Sequence, residues 1–145
     1  MSEEIGIKLL HPLAQVPRRQ RPGDAGVDLT LVEPLSLEPG SRGIGSTGLA
    51  LELGPQTMRL VMPRSGLALH YGVTVLNAPG LIDAGYRGEI KIILVNLGEG
   101  RVDFAVGDRV AQLVVASFVE ADFVARTQLG ATERGTGGFG HTGYR

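Results

Sequence analysis

At 145 residues the chain is the size of one ordinary domain, and its 43% apolar content is enough to build a core. Fourteen basic against fifteen acidic residues, net −1, argue against a partner such as DNA or RNA held by bulk phosphate neutralisation. The absence of cysteine excludes disulfide frameworks, thiolate metal sites and cysteine nucleophiles. No apolar run approaches the roughly 18–20 residues that span a bilayer, and Met1-Ser2-Glu3-Glu4 leads into no apolar leader core. A single soluble domain, cytoplasmic and without a membrane or nucleic-acid partner, is expected.

In chain order, Ile5 to Leu10 predicts an opening strand and Pro17 to Gly23 a loop. Val27 to Val32 alternates as a strand does, and Pro34 to Gly40 is a short strand closed by turn residues. Gly48–Leu53 and Thr57–Met62 are two strands whose Gly54-Pro55 junction predicts a hairpin between them. Ser65 to His70 is the one stretch that suggests a turn or two of helix. Val73–Leu76, Glu89–Val95 and Val110–Val115 complete the strands. Eight or more short strands, with 22 glycines and 8 prolines dispersed between them, predict an all-β barrel or sandwich.

The end of the chain differs. Arg134-Gly-Thr-Gly-Gly-Phe-Gly-His-Thr-Gly143 has five glycines in ten positions and one large apolar side chain, so it cannot bury itself. It reads either as a fraying tail or as an arm whose arginine and aromatic close over a phosphate and a planar ring. The expected division is residues 1–133 as the β-domain and 134–145 as a flexible glycine-rich arm.

Three stretches depart from plain strand sequence. Ala25-Gly-Val-Asp-Leu29 sets Asp28 inside an apolar strand, facing either solvent or a site. Pro63-Arg-Ser-Gly-Leu-Ala68 sets an arginine fork, a hydroxyl and a helical turn together, and reads equally as an anion cradle or as an ordinary strand-to-loop transition. Asn77 to Lys91 contains Ala84-Gly85, which fits a hairpin tip, with Asp83 and Tyr86 flanking it as a base and a flat wall for one cleft. Arg87 and Glu89 are expected to pair on the surface. A Gly-Lys-Ser/Thr phosphate loop, a dinucleotide glycine fingerprint and a GxSxG elbow are all missing. His11, His70 and His141 are scattered and make a poor metal set.

Together these stretches resemble the trimeric all-β dUTP nucleotidohydrolases (dUTPases). Five ordered motifs carry the resemblance: Ala25–Leu29, Pro63–Ala68, Gly80–Lys91, Gly107–Leu113 and Arg134–Gly140. It implies a distorted jelly-roll-like β-barrel and a homotrimer whose shared active sites are each completed by a neighbour's C-terminal arm. The implied reaction is Mg²⁺-assisted hydrolysis of dUTP to dUMP and pyrophosphate. By the same resemblance Asp83 is the general base for a water attacking the α-phosphorus, and Asp28 acts through the water shell of the metal or by anchoring the site. Arg64, Ser65 and Gly66 hold inner phosphates, Gln112 adds a neutral donor, and Arg134 clamps the γ-phosphate.

The resemblance also implies how the nucleoside is read. Asn77 binds the uracil edge, and Leu81, Ile82 and Lys91 line the nucleoside. Tyr86 packs on the deoxyribose, while Phe139 and Gly140 belong to the arm that closes over the ring. His141 stands where the family often has serine, which leaves the arm's last phosphate contact open. Two other readings compete. A dCTP deaminase shares the Arg-Ser segment but has a glutamate after the aromatic of the third motif, where this chain has Arg87. A non-catalytic nucleotide-sensing trimer needs neither Asp83 nor the arm.

Overall fold

The computed structural model describes residues 4–143, so the last two positions of the expected arm lie outside the described residues. Within that range it holds eleven strands and one helix, in an all-β, jelly-roll-like fold. The strands are β1 (Gly6–Leu9), β2 (Gly26–Thr30), β3 (Leu35–Leu37), β4 (Arg42–Ser46), β5 (Leu49–Glu52) and β6 (Thr57–Met62), then β7 (Val73–Val75), β8 (Gly80–Ile82), β9 (Lys91–Asn96), β10 (Val102–Phe104) and β11 (Arg109–Ser117). Helix α1 spans Ser65–Tyr71 between β6 and β7.

One sheet carries or flanks most of the singled-out residues. Its order is β2-β11-β6-β8, all neighbours antiparallel, which leaves β8 at an edge. A second sheet runs β4-β9-β7, and the pairs β1-β5 and β3-β10 close the remaining sides. Inward-facing apolar residues meet in one core: Leu29, Leu31, Ile92, Leu94, Val110 and Ala111 are essentially removed from water. The buried Asn96 is fully matched. It donates through Nδ2 to the carbonyls of Leu37 (3.0 Å) and Gly100 (2.8 Å) and accepts from the Gly98 N–H (2.9 Å).

Helix α1 ends at Gly72, whose φ of +67° is left-handed and whose missing side chain matters twice. A Cβ there would lie 2.5 Å from the Gly98 amide nitrogen, so the loop after β9 packs directly on the helix end.

Four expectations are corrected. The strands around Gly54-Pro55 do not form a hairpin: β5 pairs with β1, while β6 pairs with β11 and β8. Strands β4 and β10 were not anticipated. Ala84-Gly85 does sit at a tight turn, closed by the Tyr86 N–H on the Asp83 carbonyl (3.1 Å), but the arm after it is irregular and β8 pairs with β6 instead. Arg87 does not pair with Glu89; its Nη1 donates to the carbonyls of Ala84 (2.6 Å) and Tyr86 (3.2 Å). No helix among the described residues is long and apolar enough to cross a membrane.

Candidate active site

Two clusters of the singled-out residues form at separate places. The first gathers where β2, β11 and the end of β6 meet. Register aligns Asp28 with Gln112, and Gln112 with Met62, so the residues following β6 arrive beside Asp28. Arg64 turns back and sets its Nε 3.2 Å from Asp28 Oδ1, while its Nη1 donates to the Arg109 carbonyl (2.8 Å). Arg109 contributes its own side chain, Nη1 lying 3.1 Å from Asp28 Oδ2. A register shift between Arg109 and Ala111 interrupts the β11–β2 ladder at this point, as a bulge that re-aims a side chain does.

The Asp28 side chain is thus largely covered, with 16% of its surface exposed, and carries two guanidinium partners. Gln112 donates through Nε2 to the Pro63 carbonyl (2.9 Å), fixing the strand-to-helix corner. Ser65 and Gly66 open α1 and are exposed, with nothing within 4 Å of where a Gly66 Cβ would stand. The cluster therefore presents a net positive, hydrogen-bonding surface suited to phosphate oxygens.

The second cluster is a cavity of about 620 Å³ beside β8, lined by Leu81, Ile82, Asp83, Tyr86, Glu89, Ile90 and Lys91. Because β8 is an edge strand, the outer side of its main chain has no ladder partner in the sheet and offers donors and acceptors to a ligand. Asp83 and Tyr86 are the two ends of the turn. The Tyr86 hydroxyl donates to the Glu89 carbonyl (3.0 Å), and Lys91 Nζ lies 3.7 Å from Glu89 Oε2. Asn77 sits in the turn before β8, its amide nitrogen 3.5 Å from where a Gly80 Cβ would stand.

One chain does not bring these clusters together. Ile82 pairs with Arg59, whereas Asp28 is level with Met62. Three residues along the strands and three strand spacings across the sheet separate Ile82 from Asp28 by on the order of 15 Å. Asp83 lies one residue further along. The arm residues are likewise apart. After β11 ends at Ser117, residues 118–143 hold no helix or strand. Arg134 Nε donates to the Gly137 carbonyl (2.8 Å), and Phe139 is fully exposed at a φ of +52°. Gly140 and His141 border a shallow cavity with Thr132 and Arg134, not the Asp83 cavity.

A third feature was not anticipated. Arg101 bridges β10 to β3, contacting Asp103 Oδ1 (2.9 Å) and Glu38 Oε1 (3.1 Å), and its Nη2 donates to Ser36 Oγ (3.1 Å). The Ser36 hydroxyl, which donates to Asp103, and then Arg101 hold that carboxyl below the usual aspartate range. Asp103 in turn raises Arg101. From the sequence, Arg109 carried no role of its own and Glu89 only a surface pairing with Arg87. Arg109 falls within the Gly107–Leu113 motif, and nothing in its spacing marks it as the partner of an acid 81 residues away.

The sequence model of the family described as dUTPase matches residues 13–143. The chain belongs to the dUTPase family. A deoxyuridine 5'-triphosphate nucleotidohydrolase of Anaeromyxobacter sp. (strain Fw109-5) is 49% identical over 132 residues, covering 91% of this chain and 90% of that protein. One from Wolinella succinogenes is 49% identical over 140 residues, covering 97% and 94%. Among solved dUTPase structures, Staphylococcus bacteriophage 80alpha dUTPase with dUpNHpp superposes with a TM-score of 0.88 at 26% identity, covering 98% of this chain and 99% of that one.

Proposed function

We propose that this dUTPase-family chain hydrolyses dUTP to dUMP and pyrophosphate, in sites completed between chains of a homotrimer. The observation that carries the reading is the cavity beside β8, where an acid and a tyrosine close a turn next to an unpaired strand edge. The relatives' shared name and the nucleotide analogue bound by the phage enzyme point to the same substrate.

Asp83 orients a water and takes its proton, geometry mattering before acidity. The water oxygen bonds to the α-phosphorus as the bond to the α–β bridging oxygen breaks. That electron pair leaves with pyrophosphate, and the water oxygen stays on dUMP. Negative charge grows on the phosphate oxygens, so positioned cations supply most of the acceleration. Arg64, with Ser65 and Gly66 at the start of α1 and the Gln112 amide, holds the inner phosphates. Arg134 reaches the γ-phosphate from the arm, residues 134–145, and Phe139 and Gly140 cover the ring.

Uracil presents O4 and N3–H to the edge of β8. Cytosine inverts that pattern and leaves buried groups unpaired. Asn77 completes the edge contact, Leu81, Ile82 and Lys91 line the nucleoside, and Tyr86 fills the space a 2′-hydroxyl would need.

The donor set fits Mg²⁺ only in an outer-sphere mode. Both Asp28 oxygens already accept from arginine, and no group of three or more potential ligand side chains exists among the described residues. Asp28 would therefore meet the ion through its water shell. An ion held there would supply neutralisation of the charge that develops on the phosphates.

The wide separation of Asp83 from the Asp28–Arg64 pair supports assembly across subunits, in which one chain's turn faces another's arginine fork. Phe118, Phe123, Val124 and Leu129, all exposed on the segment after β11, supply apolar surface for a neighbouring copy to cover. Pyrophosphate release measured with dUTP, dCTP, dTTP and UTP tests the activity. Release from dUTP alone supports the reading. Ammonia from dCTP, or binding without products, refutes it.

A further inference from the structure

The Tyr86 side chain is held by its own loop rather than by the core. The ring lies across Gly88: a Cβ built on that glycine would stand 2.5 Å from the Tyr86 hydroxyl oxygen and 2.6 Å from Cζ. Gly88 does not have a left-handed φ, so the backbone does not bar an alanine there, and the nearest atoms its methyl meets belong to the ring. The hydroxyl is tethered at the Glu89 carbonyl (3.0 Å).

Glu89 is anchored in turn. Its Oε1 accepts from the Gly48 N–H (3.0 Å), in the turn between β4 and β5. The next residue is clamped on both sides: Thr47 Oγ1 donates to the Ile90 carbonyl (2.6 Å), and the Ile90 N–H donates to the Leu49 carbonyl (2.7 Å). Gly48 itself is locked from behind, its carbonyl accepting from the Leu10 N–H (2.7 Å). An unbroken set of hydrogen bonds thus runs from the β4–β5 turn through Glu89 to the tyrosine ring.

We infer that Gly88 and Glu89 set the discrimination between deoxyribonucleotide and ribonucleotide, by fixing the Tyr86 ring in the place where a 2′-hydroxyl would stand. The inference rests on reading Tyr86 as the sugar wall of the dUTP site. Gly88 supplies the space that lets the ring lie flat, and Glu89 is a positioning residue that acts through Tyr86. A ring free to tilt by about an ångström admits the extra oxygen, because steric exclusion of one small group depends on a rigid wall.

The test is the ratio of kcat/KM for dUTP to that for UTP in the full-length enzyme, with unfolding midpoints measured alongside. Gly88→Ala and Glu89→Ala are each expected to narrow the ratio by about tenfold or more. Glu89→Gln, which keeps an oxygen for the Gly48 N–H, is expected to retain it. A role in stability alone would lower the unfolding midpoint and leave the ratio where it was. Tyr86→Ala is the control for the underlying reading: if it leaves the ratio intact, Tyr86 is not the sugar wall and that part of the proposed function fails. If Tyr86→Ala narrows the ratio while Gly88→Ala and Glu89→Ala do not, the inference is overturned. A loss in Glu89→Gln as large as in Glu89→Ala overturns the part played by the Gly48 hydrogen bond. Gly88→Ala, at an exposed position, keeps the question open to measurement should Glu89→Ala fail to fold.

Discussion

Arg109 reaches from β11 to the Asp28 carboxylate on β2, Nη1 to Oδ2 at 3.1 Å, while its carbonyl accepts from Arg64. One residue therefore braces both members of the Asp28–Arg64 pair. Removing its charge in Arg109→Gln leaves Asp28 with one guanidinium and loosens the fork proposed to face phosphate. Because nearly half of the Arg109 side chain is exposed, water screens the contact and the effect is about 0.5–1 kcal/mol. The expected outcome in steady-state kinetics is a KM for dUTP raised about two- to fivefold, with kcat changed less.

Asp83→Asn keeps the shape of the turn and removes the proposed proton acceptor. Turnover should fall by about a hundredfold to ten-thousandfold, the range a positioned general base supplies. Binding of a non-hydrolysable dUTP analogue, followed by calorimetry, should stay within a few-fold of the parent. Near-normal kcat would refute the assignment of the base.

Among the described residues, deleting 134–145 removes no strand and none of the buried core residues. The truncated chain should unfold at a similar temperature and sediment as the same oligomer, with its dUTP turnover severely reduced. A change of sedimentation coefficient to that of a monomer would make the tail a structural part of the assembly.

The Ser36–Asp103–Arg101 cluster gives a pH dependence with a definite sign. The Asp103 carboxyl is held below its ordinary value of 3.8 in the folded chain. The unfolded chain thus binds the proton first as pH falls. The contribution is fully present above that ordinary value and is lost as pH drops through the lower, folded one. Urea unfolding of Asp103→Asn should show a shallower loss of stability below about pH 4 than the parent. Since the group lies on the surface, the difference will be small, and parallel curves would remove the effect.

The strands that alternate cleanly were legible, and α1 (Ser65–Tyr71) falls on the one stretch that suggested a helical turn. Strand β4 was not. Its Gly43 and Gly45 carry no β-propensity, yet a Cβ on Gly45 would come within 2.5 Å of Leu31 Cδ2, so packing from another part of the chain dictates glycine there. Gly54-Pro55 does mark a turn, but not a hairpin. Turn chemistry is local, whereas β5 and β6 find their partners at β1 and β11, 40 or more and 50 or more residues away in sequence. The site shows the same division. Asp83, Tyr86 and Arg64 announce themselves in short motifs, while Glu89 and Arg109 act through contacts that span 41 and 81 residues.

The placement of two groups at opposite reaches of the β2-β11-β6-β8 sheet has a genetic corollary. If the site is shared between chains as proposed, a lesion at Asp83 and one at Arg64 damage different walls of one compartment. Polypeptides bearing either lesion alone would then be inert, yet co-expressed they would intermix, and some interfaces would receive two undamaged halves. Such interallelic complementation would return turnover to a pair of dead alleles, which a compartment built within one chain forbids.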